Sequence, residues 1–382
     1  MERKIRYGMV GGDRNAFIGG VHRNALSLVE NAHLVAGCFN PNREANIKCG
    51  AFYELDNERI YADYKAMAEA ESKRADKIDF VIIVTPNFLH YEVAKEFILH
   101  GIHVICEKPL CFELNQAEEL QKLTRENNVL FAVNYSYSGS NLLKYAKQLV
   151  KEGYLGEVIN VNAEYLQEWL IDDIGAGDET TNKLSVWRKD PKLSGISNCV
   201  GDIGTHIEHT VSYITGLKTS KVAAILDYYN QPLDLNANIL VELDNGAHGI
   251  FSCSQVCVGH ANGLVVRIFG TEGALEWQQE NPNYLYVTKK GQPTQIINRG
   301  MGYITGRAAE INSVPSGHPE GLVNAFANIY KSFTNAVLKY TNGDALTEAD
   351  LDFPGIEAGI HGIRFIHAAV TSHNKHSEWV EL

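Results

Sequence analysis

From Ile5 to Tyr135 the chain alternates short apolar runs with amphipathic stretches, and this alternation restricts its fold more than any other feature. IRYGMV (5–10), HLVAGCF (33–39), DFVIIV (79–84), HVICE (103–107) and VLFAVNY (129–135) have the length and character of buried strands. Between them lie NALSLVE (24–30), YADYKAMAEAE (61–71), HYEVAKEFILHG (90–101) and NQAEELQKLTREN (115–127). In the third of these, Val93, Phe97 and Ile98 recur at helical spacing and Gly101 marks the stop. Buried strands alternating with helices predict right-handed βαβ units and one parallel sheet.

Beyond about residue 155 the pattern changes. EVINVNAEYLQ (157–167) has near-alternating apolar positions, followed by KVAAILDYY (221–229), NILVEL (238–243), GIFSCSQVCV (249–258), LVVRIFG (264–270), LEWQQ (275–279), NYLYVTK (283–289) and TQIINR (294–299). Turn signals such as Asp244-Asn245-Gly246 join several of them, which predicts a meandering, mostly antiparallel sheet. Helices are expected over 141–153, 202–216, 321–340 and 355–373. The irregular stretch 168–200 is longer than a plain connector and is expected to cover a site. The change of grammar divides the chain into 1–135 and 136–382.

At 382 residues the length suits two or three domains, and 45% hydrophobic with 21% charged residues is an ordinary soluble composition. The 34 Lys+Arg against 46 Asp+Glu leave a net charge of −12, which argues against a nucleic-acid or anionic-membrane partner. No apolar run approaches the roughly 20 residues of a membrane span, and MERKIRYGMV shows no signal-peptide cleavage site. Seven cysteines without a framework spacing predict small buried side chains in a reduced, cytoplasmic setting.

The first strand runs into GGDRNAFIGGVHRNA (11–25). A strand, glycines and then a helix form the layout that holds a pyrophosphate, because backbone N–H groups approach closely and the helix N-terminus favours negative charge. Gly11, Gly12 and Gly19 are present, with Phe17 and Ile18 beside the last, but Asp13 stands where a spaced glycine is expected. The second strand leads to Asn40, about 20 residues beyond Gly19 and at the ribose-reading position. Asn40 does not repel a 2′-phosphate and Arg43 lies nearby, so the expected cofactor is NAD or NADP. These features make residues 1–135 a Rossmann-type, doubly wound parallel sheet, and 136–382 an α+β domain with a large, mostly antiparallel sheet.

Thr85-Pro86-Asn87, with His90 beyond, and Glu107-Lys108-Pro109 end two parallel strands, where ligands bind in open α/β sheets. A lysine there needs a charged or polar partner, which makes Lys108 a candidate for binding or catalysis. In Gly201-Asp202-Ile203-Gly204-Thr205-His206, Asp202 and His206 stand four apart on a helix, as a proton-transfer pair requires. His209 follows, but too few ligands accompany it for a metal site. Trp169, Trp187, Tyr135 and Tyr137 are aromatic side chains suited either to stacking on a sugar or to core packing. His361, Arg364 and His367 suggest a solvated helix face.

With these three motifs in order, and Asp-x-x-x-His about 95 residues beyond Glu-Lys-Pro, the chain resembles the glucose–fructose oxidoreductase / inositol dehydrogenase / MocA family over nearly its whole length. The resemblance implies oxidation or reduction of a hydroxyl on a sugar, glycoside or cyclitol by a nicotinamide cofactor. It implies catalytic roles for Lys108, Asp202 and His206, with Thr85, Pro86, Asn87, His90, Glu107 and Lys108 at the nicotinamide end. It further implies a cis bond before Pro109, and its Lys108, Asp202 and His206, joined by the aromatic candidates Tyr135 and Trp187, make up the expected substrate set. The chain departs from the family in its Gly11-Gly12-Asp13 loop, in His209 where an acid is common, and in Asn134-Tyr135-Ser136-Tyr137 where an arginine is common. Two other functions suit the same fold. One is a nicotinamide-dependent glycosidase or lyase working through transient ring oxidation. The other is a non-catalytic dinucleotide or sugar sensor, which would lack the lysine or histidine that this chain keeps. The large sheet predicts a homo-oligomer, a dimer or tetramer, through an exposed face.

Overall fold

Uninterrupted apolar runs become the centre of a parallel sheet, where both faces are covered and no polar side is needed. Strands β1 (Ile5–Gly11), β2 (Ala32–Cys38), β3 (Phe80–Val84), β4 (His103–Cys106) and β5 (Phe131–Val133) pair in parallel in the order β2-β1-β3-β4-β5. Every residue of β3, β4 and β5 is buried. The connecting helices are α1 (Phe17–Leu26), α2 (Arg43–Phe52), α3 (Tyr64–Ser72), α4 (His90–Leu99) and α5 (Leu114–Glu126). The computed structural model describes residues 4–174, 188 and 190–382.

Among the helices that connect these strands, two differ from expectation. Helix α1 starts at Phe17, seven residues before the predicted start, because Gly19 and Gly20 conceal an apolar face that runs through Val21 and Ala25. Helix α2 was not predicted; its sequence, REANIKCGAF, buries only Asn46, Cys49 and Gly50.

By contacts the chain forms two compact units, Met1–Ser136 with Val323–Ile360, and Tyr137–Leu322 with His361–Leu382. The core of the first joins Ile5, Tyr7, Met9, Phe80 and Ile82 of the sheet to Phe326, Tyr330 and Phe333 of the long helix Leu322–Asn342. That helix is far along the chain from the sheet it completes, which a reading in chain order does not anticipate.

The second unit is built on a nine-stranded sheet. Its strands are β6 (Val158–Leu166), β7 (Thr219–Asp227), β8 (Asn236–Leu243), β9 (His248–Ser254), β10 (Gly263–Gly270), β11 (Gly273–Gln278), β12 (Tyr284–Lys289), β13 (Gln295–Asn298) and β14 (Val380–Glu381). The order is β13-β12-β11-β10-β6-β9-β8-β7-β14, antiparallel throughout except for the parallel pair β6–β9. Helices α6 (Asn141–Lys151), α7 (Pro191–Ser194), α8 (Thr205–Thr215) and α9 (Gly306–Glu310) belong to this unit, and α8 packs on β6 and β10. Burial alternates along β8 and β10, so one face is covered, and the other carries exposed Leu240 and Phe269, with Ile225 of β7 and Ile250 of β9 on the same side. Both the parallel sheet and the mostly antiparallel one are as the sequence predicted.

Candidate active site

In the first unit, Gly11 and Gly12 take positive φ at the end of β1, 78° and 70°. A Cβ on Gly12 would stand 2.7 Å from Val84 Cγ2, and one on Gly19 would stand 2.6 Å from Gly12 Cα. Glycine is therefore required at both positions, and its absence of side chain lets the first turns of α1 close onto the strand end. No acidic residue stands in the first turn of α1 to repel a phosphate. Phe17 is exposed at the start of that helix. At the end of β3, the Thr85 hydroxyl is buried without a hydrogen-bond partner among the described residues. A Cβ-free cradle, a helix N-terminus and an orphan hydroxyl at a strand end suit a dinucleotide with a polar nicotinamide group.

His90 opens α4 and is fully buried behind these loops. Its Nδ1 lies 2.8 Å from the Pro109 carbonyl oxygen and its Nε2 lies 2.9 Å from that of Thr85. Burial lowers its pKa, more than the two carbonyls raise it, so the ring is neutral and donates one N–H to one carbonyl at a time. The ring is a strut between the loops after β3 and β4.

Glu107 is buried as well. Its Oε1 accepts from Asn134 Nδ2 at 2.5 Å and lies 2.8 Å from His22 Nε2, while its Oε2 accepts the Lys108 N–H at 3.2 Å. The other ring nitrogen of His22 bonds the Tyr330 hydroxyl. Burial pushes the Glu107 carboxyl up, but His22, Asn134 and Lys108 outweigh it and hold the pKa near 2. The Glu107 carboxylate thus anchors the backbone of Lys108, whose side chain is half-buried. The Lys108–Pro109 peptide is cis.

In the second unit, Asp202 lies on a π-turn, Val200–Gly204, that leads into α8. Such turns re-aim side chains and are frequent at functional sites. Gln255 Nε2 donates to Asp202 Oδ2 at 2.9 Å, and Asn198 Nδ2 donates to Gln255 Oε1 at 2.6 Å. Arg188 Nε stands 3.9 Å from the same carboxylate, and its guanidinium lies 5.6 Å from the Trp169 ring centre. His206, 8% exposed, meets Tyr137 edge-on at 4.9 Å between ring centres. The Tyr137 and Tyr165 hydroxyls bond at 2.6 Å, and Tyr165 donates to Asn262 Oδ1 at 2.9 Å. Burial pushes the Tyr137 hydroxyl up to about 12, so it stays protonated across the physiological range.

Two segments of the sequence match known domains. Residues 5–135 match the oxidoreductase family with an NAD-binding Rossmann fold, and residues 143–276 match the GFO/IDH/MocA C-terminal domain. The chain belongs to the GFO/IDH/MocA oxidoreductase family. A Bacillus subtilis member, the uncharacterized oxidoreductase YfiI, is 34% identical over all of this chain and 98% of its own. Among solved structures, the inositol dehydrogenase homologue of Azotobacter vinelandii complexed with NAD+ is 34% identical, with a TM-score of 0.94 over 100% of this chain and 98% of that one. The same homologue complexed with NADH and myo-inositol gives 33% identity and a TM-score of 0.91 over the same shares. As a GFO/IDH/MocA protein the chain is an oxidoreductase, and its first unit contains the family's NAD-binding Rossmann domain.

Of the positions expected to serve this site, Gly11, Gly12, Phe17, Ile18, Gly19, Asn40, Arg43, Thr85, Pro86, Asn87, His90, Glu107, Lys108 and Tyr135 fall in the first unit, and Asp202 and His206 in the second. Tyr135 is 1% exposed, and Trp187 lies outside the described residues. His209 stacks on Tyr213 at 6.1 Å, and burial first, then Lys147 and His361, lowers its pKa to about 3. The expectation of a solvated face fails at His361, whose Nε2 lies 3.0 Å from the buried Glu208 carboxylate. Sequence reasoning missed His22, Arg188 and Gln255. Each meets its partner across a long stretch or an irregular one, and no local spacing announces it.

Proposed function

We propose that this protein interconverts a secondary alcohol and a ketone on a sugar, glycoside or cyclitol. The observation that best supports this is the setting of Asp202 and His206, a carboxylate held by the Gln255 amide and an imidazole held edge-on by Tyr137. The likeness to a homologue complexed with NADH and myo-inositol supports the substrate class. In this reading His206 accepts the hydroxyl proton, and Asp202 stabilises the imidazolium that results. Lys108 donates a charge-assisted hydrogen bond to the alcohol oxygen and offsets its developing negative charge. The glycine loop would hold the pyrophosphate, and the Thr85 hydroxyl would meet the nicotinamide end. Bound NAD supplies the hydride acceptor.

A panel of cyclitols, sugars and glycosides, assayed with NAD and with NADP at the reduced-nicotinamide absorbance band, tests this proposal. Net cofactor reduction by at least one polyol is expected. Bond cleavage without net reduction would favour the lyase function, and silence across the panel would favour the sensor.

We also propose a homo-oligomer in the cytoplasm. Leu240 and Ile250 stand opposite each other on the exposed face of the nine-stranded sheet, with Ile225 and Phe269 on the same side. Seven free cysteines, five of them buried, suit a reducing compartment. Light scattering should show the mass of a dimer or tetramer, and Leu240→Lys with Ile250→Lys should shift it toward the monomer.

A further inference from the structure

In dinucleotide-binding sheets of this type an acid at the end of the second strand reads the adenosine ribose. Here that position is Asn40, and the acid arrives from the neighbouring glycine loop. Asn40 Nδ2 donates to Asp13 Oδ2 at 3.0 Å, and Asp13 Oδ1 accepts the Asn15 N–H at 3.0 Å. Asn40 Oδ1 accepts the Asn42 N–H at 2.8 Å, so both side chains are held. A carboxylate offers about four acceptor positions, and these bonds use two of them, which leaves capacity for a diol. β1 and β2 are adjacent, and the Asn40 contact places the Asp13 carboxylate beside the residue that follows β2, at the ribose-reading position.

Two of the neighbouring cations are engaged elsewhere. The Arg14 guanidinium lies 4.3 Å from the Phe52 ring centre. Arg23 lies 4.5 Å from that of Tyr53 and donates to the Gly12 carbonyl at 2.7 Å. Arg43 is exposed at the first residue of α2.

We propose that Asp13, steadied by Asn40, is the cofactor-specificity residue of this chain: it accepts the ribose hydroxyls of NAD and repels the 2′-phosphate of NADP. The loop residue that breaks the usual glycine pattern thereby takes the part of the acid that β2 lacks. This rests on the NAD-binding assignment of the first unit.

The test is equilibrium binding of NADH and NADPH, followed by nicotinamide fluorescence, for the wild type, Asp13→Asn and Arg43→Ala. Asp13→Asn keeps the size of the side chain and one acceptor oxygen, for the Asn15 N–H, and gives up the charge together with the acceptor for Asn40. The wild type should hold NADH at least about tenfold more tightly than NADPH. Asp13→Asn should narrow that ratio about tenfold, through tighter NADPH binding, while Arg43→Ala leaves the preference for NADH in place. Equal wild-type affinities, an unchanged ratio in Asp13→Asn, or an equal loss of both dinucleotides in that variant would overturn the proposal. Binding of neither dinucleotide by the wild type would overturn the cofactor assignment and the proposal with it.

Discussion

The two units position their polar groups by different means. In the first, buried charge and backbone do the work: Glu107 clasps His22, Asn134 and the Lys108 amide, and His90 spans two carbonyls. In the second, neutral amides and hydroxyls hold the Asp202 carboxylate and the His206 ring: Asn198 holds Gln255, Gln255 holds Asp202, and Tyr165 holds Tyr137 beside His206, with Arg188 3.9 Å from Asp202. Removing half of a buried charged set exposes an uncompensated group and costs stability, whereas loosening an amide chain mainly changes aim. The first unit should therefore fail in folding when its anchor is cut, and the second in turnover.

The largest effect tests the second half of that contrast. His206→Asn should lower kcat by about 10²–10⁴-fold, the usual contribution of a positioned acid–base group, with NADH affinity unchanged in fluorescence titration. A parallel loss of cofactor affinity would mean that the two units do not divide labour in this way.

Glu107→Gln tests the other half. Its carboxyl sits near 2 in the folded chain against an ordinary value of 4.5. That difference is worth about 3 kcal/mol of stability at neutral pH, to order of magnitude. Because the folded value is depressed, the contribution is complete above about pH 4.5 and disappears as pH falls toward 2. Denaturant midpoints should thus separate wild type from Glu107→Gln at pH 7, and the gap should close between pH 4.5 and 2. A gap independent of pH would place the effect in packing.

The smallest effect refines the comparison. Gln255→Leu removes the amide donor to Asp202 and should lower kcat by about tenfold, with a displaced pH–rate profile, because in the proposed mechanism that carboxylate steadies the proton acceptor. Unaltered kinetics with lower stability would make Gln255 a packing residue alone.

The same contrast explains what was legible in the sequence. The strands of the parallel sheet emerged within about two residues, since burial on both faces leaves unbroken apolar runs such as FVIIV. The motif residues on the first sheet followed from their place at strand ends. Helix α2 stayed hidden because its buried side is small and partly polar, at Asn46 and Gly50. The parallel pairing of β6 with β9 was equally hidden, since local turn signals announce only antiparallel neighbours. Gln255 reaches Asp202 across 53 positions, and Tyr330 reaches His22 across 308. Pairings of that range depend on topology, and no spacing rule carries them.

The proposed mechanism depends most heavily on Lys108 as the group that polarises the reacting oxygen. Stopped-flow reduction of bound NAD by the best polyol of the panel, for wild type and Lys108→Ala, measures that step before product release. A fall of about 10²–10³-fold in the reduction rate, with NAD affinity kept, is the expected result. A Lys108→Ala protein that reduces NAD at the wild-type rate would contradict it.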